Sequence, residues 1–390
     1  MVAKTGPLIN KILKKHIKLP THHNCTFTQT DYLKLAVYTS IHHNYAEGSS
    51  NQINLEAELN RLTTGFPPSG KRCPTGESLL WHVKKFHPTM LYAMHDAITE
   101  EIVNFARKAG GINRKVNLAI DFTDILYYGD KDDPMVKRKK PERGTSRAHR
   151  YATSNIVVAG QRYTLKTIAI DKKTPTYIAV QKLITHAKTL VNLDHVMLDR
   201  GFNGIKVIST LNKMGCNYIM PAIKNPKVRR NIRVNPAGKT IRFMIGTKSN
   251  NVYTYLAIIK GRDGEKTAFF TNSERTCVHL YSQRWGIETS YSKTKQDFLS
   301  KTTSKNPVIR LFYFLLAVSL YNLWQLANLN LCPTQGRKFT KYLLKAKDFG
   351  AILWFIIKIH ESGPPHSQLI TSSSTGKQLT NNDAIWNYAV

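Results

Sequence analysis

Tyr281, Arg284, Glu288 and Lys295 stand in a Tyr-x2-Arg-x3-Glu-x6-Lys run. On a helix these offsets stack a phenol, a guanidinium, a carboxylate and an ammonium in one column, with Tyr291 and Ser292 on the same stripe. Such a column can present one metal ligand flanked by phosphate-binding groups. A solvated face carrying i,i+4 charge pairs is the plainer reading of a polar stripe. It loses ground because this stripe holds one acid among bases, and because two more acids lie upstream in strand-like settings. These are Ala119-Ile120-Asp121-Phe122-Thr123 and Met197-Leu198-Asp199-Arg200-Gly201-Phe202.

The elements that must position them follow from periodicity. Val116, Leu118, Ile120 and Phe122 alternate with Asn117, Ala119, Asp121 and Thr123, the period of a strand. Asp121 then lies on the less apolar face and the rival acid Asp124 on the other. The apolar run from His195 ends in Asp199 before Gly201, which reads as a buried strand delivering a carboxylate at its C-terminal end. A turn-capping aspartate is the alternative, and it suits Asp194 better. Two strands near 154–159 and 163–170, a helix over 176–191, a helix over 204–213 and a strand over 218–222 complete a β-β-β-α-β-α order, that of a ribonuclease-H-like core.

Taken in order, the three acidic motifs resemble those of the DDE transposases of prokaryotic insertion sequences, in the branch named for its Tyr-Arg-Glu-Lys signature. The resemblance spans roughly residues 116–300. It implies that Asp121, first in Asp-x-Thr, is the first metal-binding acid rather than Asp124, that Asp199 is the second, and that Glu288 is the third. Tyr281, Arg284 and Lys295 would handle DNA. The implied cofactor is Mg²⁺ or Mn²⁺, in two ions. The implied reaction cuts a strand at the element's terminal inverted repeats, then uses the freed 3′-hydroxyl to attack target DNA. A homodimer on DNA and a prokaryotic cytoplasm, near the nucleoid, go with it. The branch uses an aromatic residue to hold a flipped base; no Trp lies between Asp199 and Arg284, so Tyr253, Tyr255 and Trp285 stay open for that role.

Composition points the same way. The 390 residues carry 57 Lys and Arg against 25 acids, a net charge of +32, which implies a polyanionic partner. A membrane surface is the rival, but the longest apolar run, Leu311–Trp324, is broken by Ser319, Tyr321 and Asn322 and reads as too short to span a bilayer. The opening Met1-Val2-Ala3-Lys4 has no apolar stretch, so a secretory signal is not expected. Five cysteines without a C-x-x-C pair suit a reducing compartment. His22, His23, Cys25, His42 and His43 fit no common zinc spacing.

The organisation expected is a mixed α/β chain. Residues 1–110 are helical and a candidate end-binding region, though a bundle docked on the catalytic unit is an equal reading. Residues 111–226 and 273–330 form the core, 227–272 a β-rich insertion, and 331–390 a helix with a loosely ordered tail. A basic segment over 130–150, a loop followed by a strand lead-in that includes Lys139 and Arg143, and the bases of the insertion, including Arg230, would face phosphates together with Arg200. Two other functions fit the same residues: a metal-dependent nuclease that cuts without joining, and a DNA-binding protein without catalysis.

Overall fold

The alternation beginning at Val116 builds β1 (Val116–Leu126), and among the described residues the regular elements that precede it are helices. The computed structural model describes residues 2–64, 72–112, 115–158, 160–261, 264–273, 278–331 and 342–362; the expected tail beyond Ser362 lies outside them. The helices before β1 are α1 (Val2–His16), α2 (Gln29–Ile41), α3 (Ala46–Thr64), α4 (Gly76–Lys84) and α5 (Pro88–Lys108). Local chemistry sets their starts. Thr28 and Asp31 form a reciprocal capping box on α2, Thr75 caps α4, and Pro88 opens α5. In α1, within the stretch expected to be helical, Ile9, Ile12 and Leu13 form a buried stripe.

After β1 come β2 (Val136–Glu142), β3 (Thr145–Val158), β4 (Gln161–Ala169), α6 (Thr176–Leu190), β5 (Leu193–Leu198), α7 (Ile205–Lys213) and β6 (Asn217–Pro221). Then follow α8 (Pro226–Val234), β7 (Thr240–Gly246), β8 (Asn251–Lys260), β9 (Lys266–Thr271), α9 (Gly286–Lys293), α10 (Pro307–Leu331) and α11 (Ala346–Ser362). All nine strands join one mixed sheet, ordered β2-β3-β1-β5-β6-β9-β8-β7, with β4 also on β3. Its centre, β4-β3-β1-β5-β6, pairs antiparallel up to β1 and parallel from β1 to β6. That is the expected core order.

Two expectations need correcting. The basic stretch 130–150 is a loop only up to 135: Val136 pairs with His149 and Arg138 with Arg147, so the rest folds into the β2–β3 hairpin. Val228, Ile232 and Val234 lie on α8 rather than on strands. Asn225 caps that helix, Pro226 sits at its start, and the i,i+4 pair Val228 and Ile232 turns inward against β9. Strands β7–β9 then extend the main sheet, because β9 pairs with β6.

The helix α10 is also longer than read. At 25 residues it is long and apolar enough to cross a membrane by length and composition, yet nearly all of it is buried against protein. Asn322 shows how it docks. Its Nδ2 donates to the Thr164 carbonyl at 2.8 Å, and its Oδ1 accepts the Thr164 N–H at 2.9 Å, completing the free edge of β4. One apolar core runs from α1, α2, α4 and α5 through α10 to the sheet.

This core holds two histidines neutral. Burial pushes His95, on α5, and His149, on β3, down to about 4. Unfolded histidine titrates near 6.5, so stability should be intact above that pH and fall as pH drops towards 4. The loss should be on the order of 2–3 kcal/mol per histidine at the acid end. Urea midpoints from pH 7 to 4.5 should drop less steeply in the His95→Gln, His149→Gln double variant than in wild type; parallel slopes would refute the assignment.

Candidate active site

Register brings the first two acids together. Ala119 aligns with Met197 and Ile120 with Leu198 in the parallel β1–β5 pair. The next residues, Asp121 within β1 and Asp199 just past β5, therefore lie side by side where β5 ends. Asp121 Oδ1 accepts the Phe122 N–H at 2.7 Å. The Phe122 ring stacks on Phe202, from the 3₁₀ turn after Asp199, with centroids 4.4 Å apart. Phe122, next to Asp121, and Phe202, three residues after Asp199, thus tie the two acid-bearing segments together.

The third acid arrives on a segment that is not one α-helix. Residues Val278–Trp285 are 3₁₀, α9 covers Gly286–Lys293, and Thr294–Phe298 form a π turn. The changes of pitch break the expected column. Tyr281 is buried, and its hydroxyl donates to the Leu198 carbonyl at 3.1 Å, directly before Asp199. Lys295 does not face Glu288: its Nζ donates to the Asp124 carbonyl at 2.9 Å, and burial lowers its pKa. Tyr291 and Thr153 share a hydroxyl hydrogen bond of 2.6 Å, and Asn117 Nδ2 donates to Gln283 Oε1 at 2.9 Å. Gly286 matters for closeness, since a Cβ there would lie 1.8 Å from Arg162 Nε of β4.

Arg284 sits where the three acids meet. Its Nη1 is 2.9 Å from Asp121 Oδ2, while Nη2 is 3.2 Å from Glu288 Oε1 and 3.9 Å from Asp199 Oδ1. The Arg284 side chain is only 8% exposed, against 54% for Glu288 and 45% for Asp199. Burial pushes the Asp121 carboxyl up to about 6; the Phe122 N–H and Arg284 pull against this, and the other two acids add to it. Asp124 is spoken for elsewhere. It opposes Arg150 across β1–β3 and accepts its fork at 2.8 and 2.9 Å.

Among the described residues no three His, Cys, Asp or Glu side chains are drawn close enough to form a ready cage for an ion. The donor chemistry nevertheless fits a hard divalent cation: three carboxylates already surround one positive charge, Asp121 within β1, Asp199 just after β5 and the exposed Glu288 on α9. The other predicted residues are spread out. Arg200 is exposed beside Asp199, Arg143 is exposed at the β2–β3 tip, and Arg230 is exposed on α8, whereas Lys139 is half-buried and paired with Glu142. Of the aromatic candidates, Trp285 and Tyr253 are exposed, the latter beneath the Arg242 guanidinium at 4.5 Å. Thr153 and Asn117 give no sequence signal, because their partners lie more than a hundred residues away.

A family model described as a transposase DDE domain matches residues 113–323, just over half the chain. Among solved structures, the chain is similar to the piggyBac transposase in its synaptic complex with hairpin DNA. The TM-score is 0.55 at 12% identity, over 94% of this chain and 80% of that one. No curated protein sequence matches.

The two aspartates of β1 should separate cleanly by substitution. Asp124→Ala strands the Arg150 fork and should cost about 1–3 kcal/mol of stability in urea unfolding, with Mn²⁺ binding kept. Asp121→Asn should abolish Mn²⁺ binding in calorimetry. The reverse pattern would make Asp124 the ligand.

Proposed function

This chain belongs to the DDE transposase family, enzymes that cut and rejoin DNA, and we propose that Asp121, Asp199 and Glu288 are its catalytic, metal-binding acids. One observation supports this above the others: the three side chains converge on a single buried cation, beside the middle of β1 and the end of β5. The family generally works with divalent metal, and the oxygen donor set suits Mg²⁺ or Mn²⁺, here in two ions. Such ions supply polarisation of the phosphodiester and ease deprotonation of the attacking water or 3′-hydroxyl.

The chain's own residues have distinct tasks. Asp121 is the fixed anchor, held by the Phe122 N–H and the central strand. Asp199 opens towards solvent, where a DNA strand would lie, and the exposed Arg200 beside it suits the neighbouring phosphate. Glu288 is free enough to close on the site from α9. Tyr281 and Lys295 act as braces in this reading, since each is bonded to a backbone carbonyl of a catalytic strand or its extension. Arg143 and Arg230 would bind phosphate farther out, with Lys139 in reserve behind its pair with Glu142. Between Asp199 and Asp263 the sequence has thirteen Lys and Arg and no acid, which supports a DNA path over α8 and β7–β8. The substrates proposed are terminal inverted repeats and target DNA, engaged by a dimer in a prokaryotic cytoplasm. Residues 1–110 would serve as the end-binding region.

Strand cleavage on oligonucleotides carrying an element end tests the assignment. Alanine at Asp121, Asp199 or Glu288 should each lower Mg²⁺-dependent cleavage by about 10³-fold or more, with DNA binding kept. Cleavage without joining to target DNA would favour a nuclease. The charge makes a further demand. If roughly 6–10 phosphates are neutralised, affinity should fall by about 10³–10⁵ between 50 and 200 mM salt. A flat response in a filter-binding titration would sink the proposed DNA path.

A further inference from the structure

We infer that Arg284 is the built-in counter-ion of this site: it holds the three acids together before metal arrives and is released to a DNA phosphate when metal takes its place, so that metal and DNA bind cooperatively. The inference rests on the proposed assignment of those acids as metal ligands. Its first support is position. One guanidinium reaches Asp121 at 2.9 Å, Glu288 at 3.2 Å and Asp199 at 3.9 Å, the centre of the set. A divalent ion held by the same oxygens would compete with the guanidinium for their lone pairs and repel it at short range, which weakens its hold on the acids.

Its second support is that Arg284 is poorly satisfied for a structural arginine. The guanidinium has five donors and lies over the Tyr281 ring at 5.5 Å, yet its buried Nε has no hydrogen-bond partner, and the contact to Asp199 is too long for a hydrogen bond. One positive charge also leaves three acids under-neutralised. The third support is the backbone. Arg284 lies in the 3₁₀ stretch Val278–Trp285, and α9 begins just after it without a side-chain cap. Hydrogen bonding is poorer in such a turn, which makes repositioning cheaper than within an α-helix. Asp199 and Glu288 are the two exposed members of the set, so the way out for the side chain leads to the face where DNA would lie. There the fork can take two oxygens of one phosphate.

Linkage makes this measurable. Whatever draws Arg284 off the acids raises their affinity for metal, and metal raises affinity for the phosphate by the same factor, typically about 5–150-fold. Calorimetry of Mn²⁺ on the full chain, with and without a duplex oligonucleotide, is the experiment, beside thermal unfolding. In wild type the duplex should tighten Mn²⁺ binding within that range. Arg284→Gln should bind Mn²⁺ about tenfold tighter without DNA and gain little from the duplex, while its metal-free form melts at lower temperature. Arg284→Lys, which keeps a charge but loses the fork, should fall between. If the duplex leaves wild-type Mn²⁺ affinity unchanged, or folded Arg284→Gln binds Mn²⁺ no better than wild type, the inference is overturned. If Asp121→Asn binds Mn²⁺ like wild type, the assignment of the acids fails instead. Should Arg284→Gln not fold, the wild-type comparison with and without duplex still decides.

Discussion

Three carboxylates gathered at one sheet edge repel each other, and that repulsion is the constraint around which the molecule is built. The parallel register of β1 and β5 leaves no choice for two of them, because Asp121 and Asp199 follow aligned residues. Half-burial makes the charge on Asp121 costlier still. A single internal guanidinium answers most of this in the free protein. It is held by the turn before α9, which must therefore be fixed to the sheet as firmly as the strands are to each other.

That fixing is done by side chains reaching across the fold. Tyr281 bonds the end of β5, Tyr291 bonds Thr153 of β3, and Lys295 bonds the continuation of β1. Each such bond contributes about 1 kcal/mol net, so together they matter more for aim than for overall stability. From behind, Tyr321 of α10 donates to Ser290 Oγ at 3.0 Å, linking α9 to the most buried helix in the chain. The N-terminal helices share that helix's core, and α5 with α10 covers β4. Support for the site thus passes from α1 to α10 through close packing rather than through a flexible joint.

Much of this was legible in sequence, and the limits have physical causes. The period-two run at Val116 and the apolar run into Asp199 announced their strands, because side-chain alternation and burial are local facts. The β2–β3 hairpin was hidden because Lys137–Lys140 lie on an edge strand, where one side pairs and basic side chains meet solvent. Residues 226–234 misled because Val228 and Ile232 suit a strand, while Pro226 and the Asn225 cap decided for a helix. The Tyr281–Lys295 column failed for a subtler reason: residue types give no warning of 3₁₀ and π turns, which arise where tertiary bonds win over the α pitch. The pairing of Asp124 with Arg150 also needed the β1–β3 register, which no local pattern supplies.

The electrostatics work on two scales that pull in opposite directions. Over the whole chain an excess of 32 positive charges draws in DNA, and the stretch from Arg200 to Arg262 contains no acid to weaken it. Such a field by itself would repel a divalent cation. The proposed site would escape this because its own acids outnumber its arginine three to one within hydrogen-bonding or ion-pair reach, and attraction at that range exceeds the field of more distant bases, which salt screens. Arg284 belongs to both scales. Beside the acids it is their counter-ion; turned outward it adds one more base to the surface that holds DNA. A lysine, with its single point charge, could not bridge Asp121 and Glu288 through separate nitrogens as this guanidinium does, which gives a physical reason for arginine at this position.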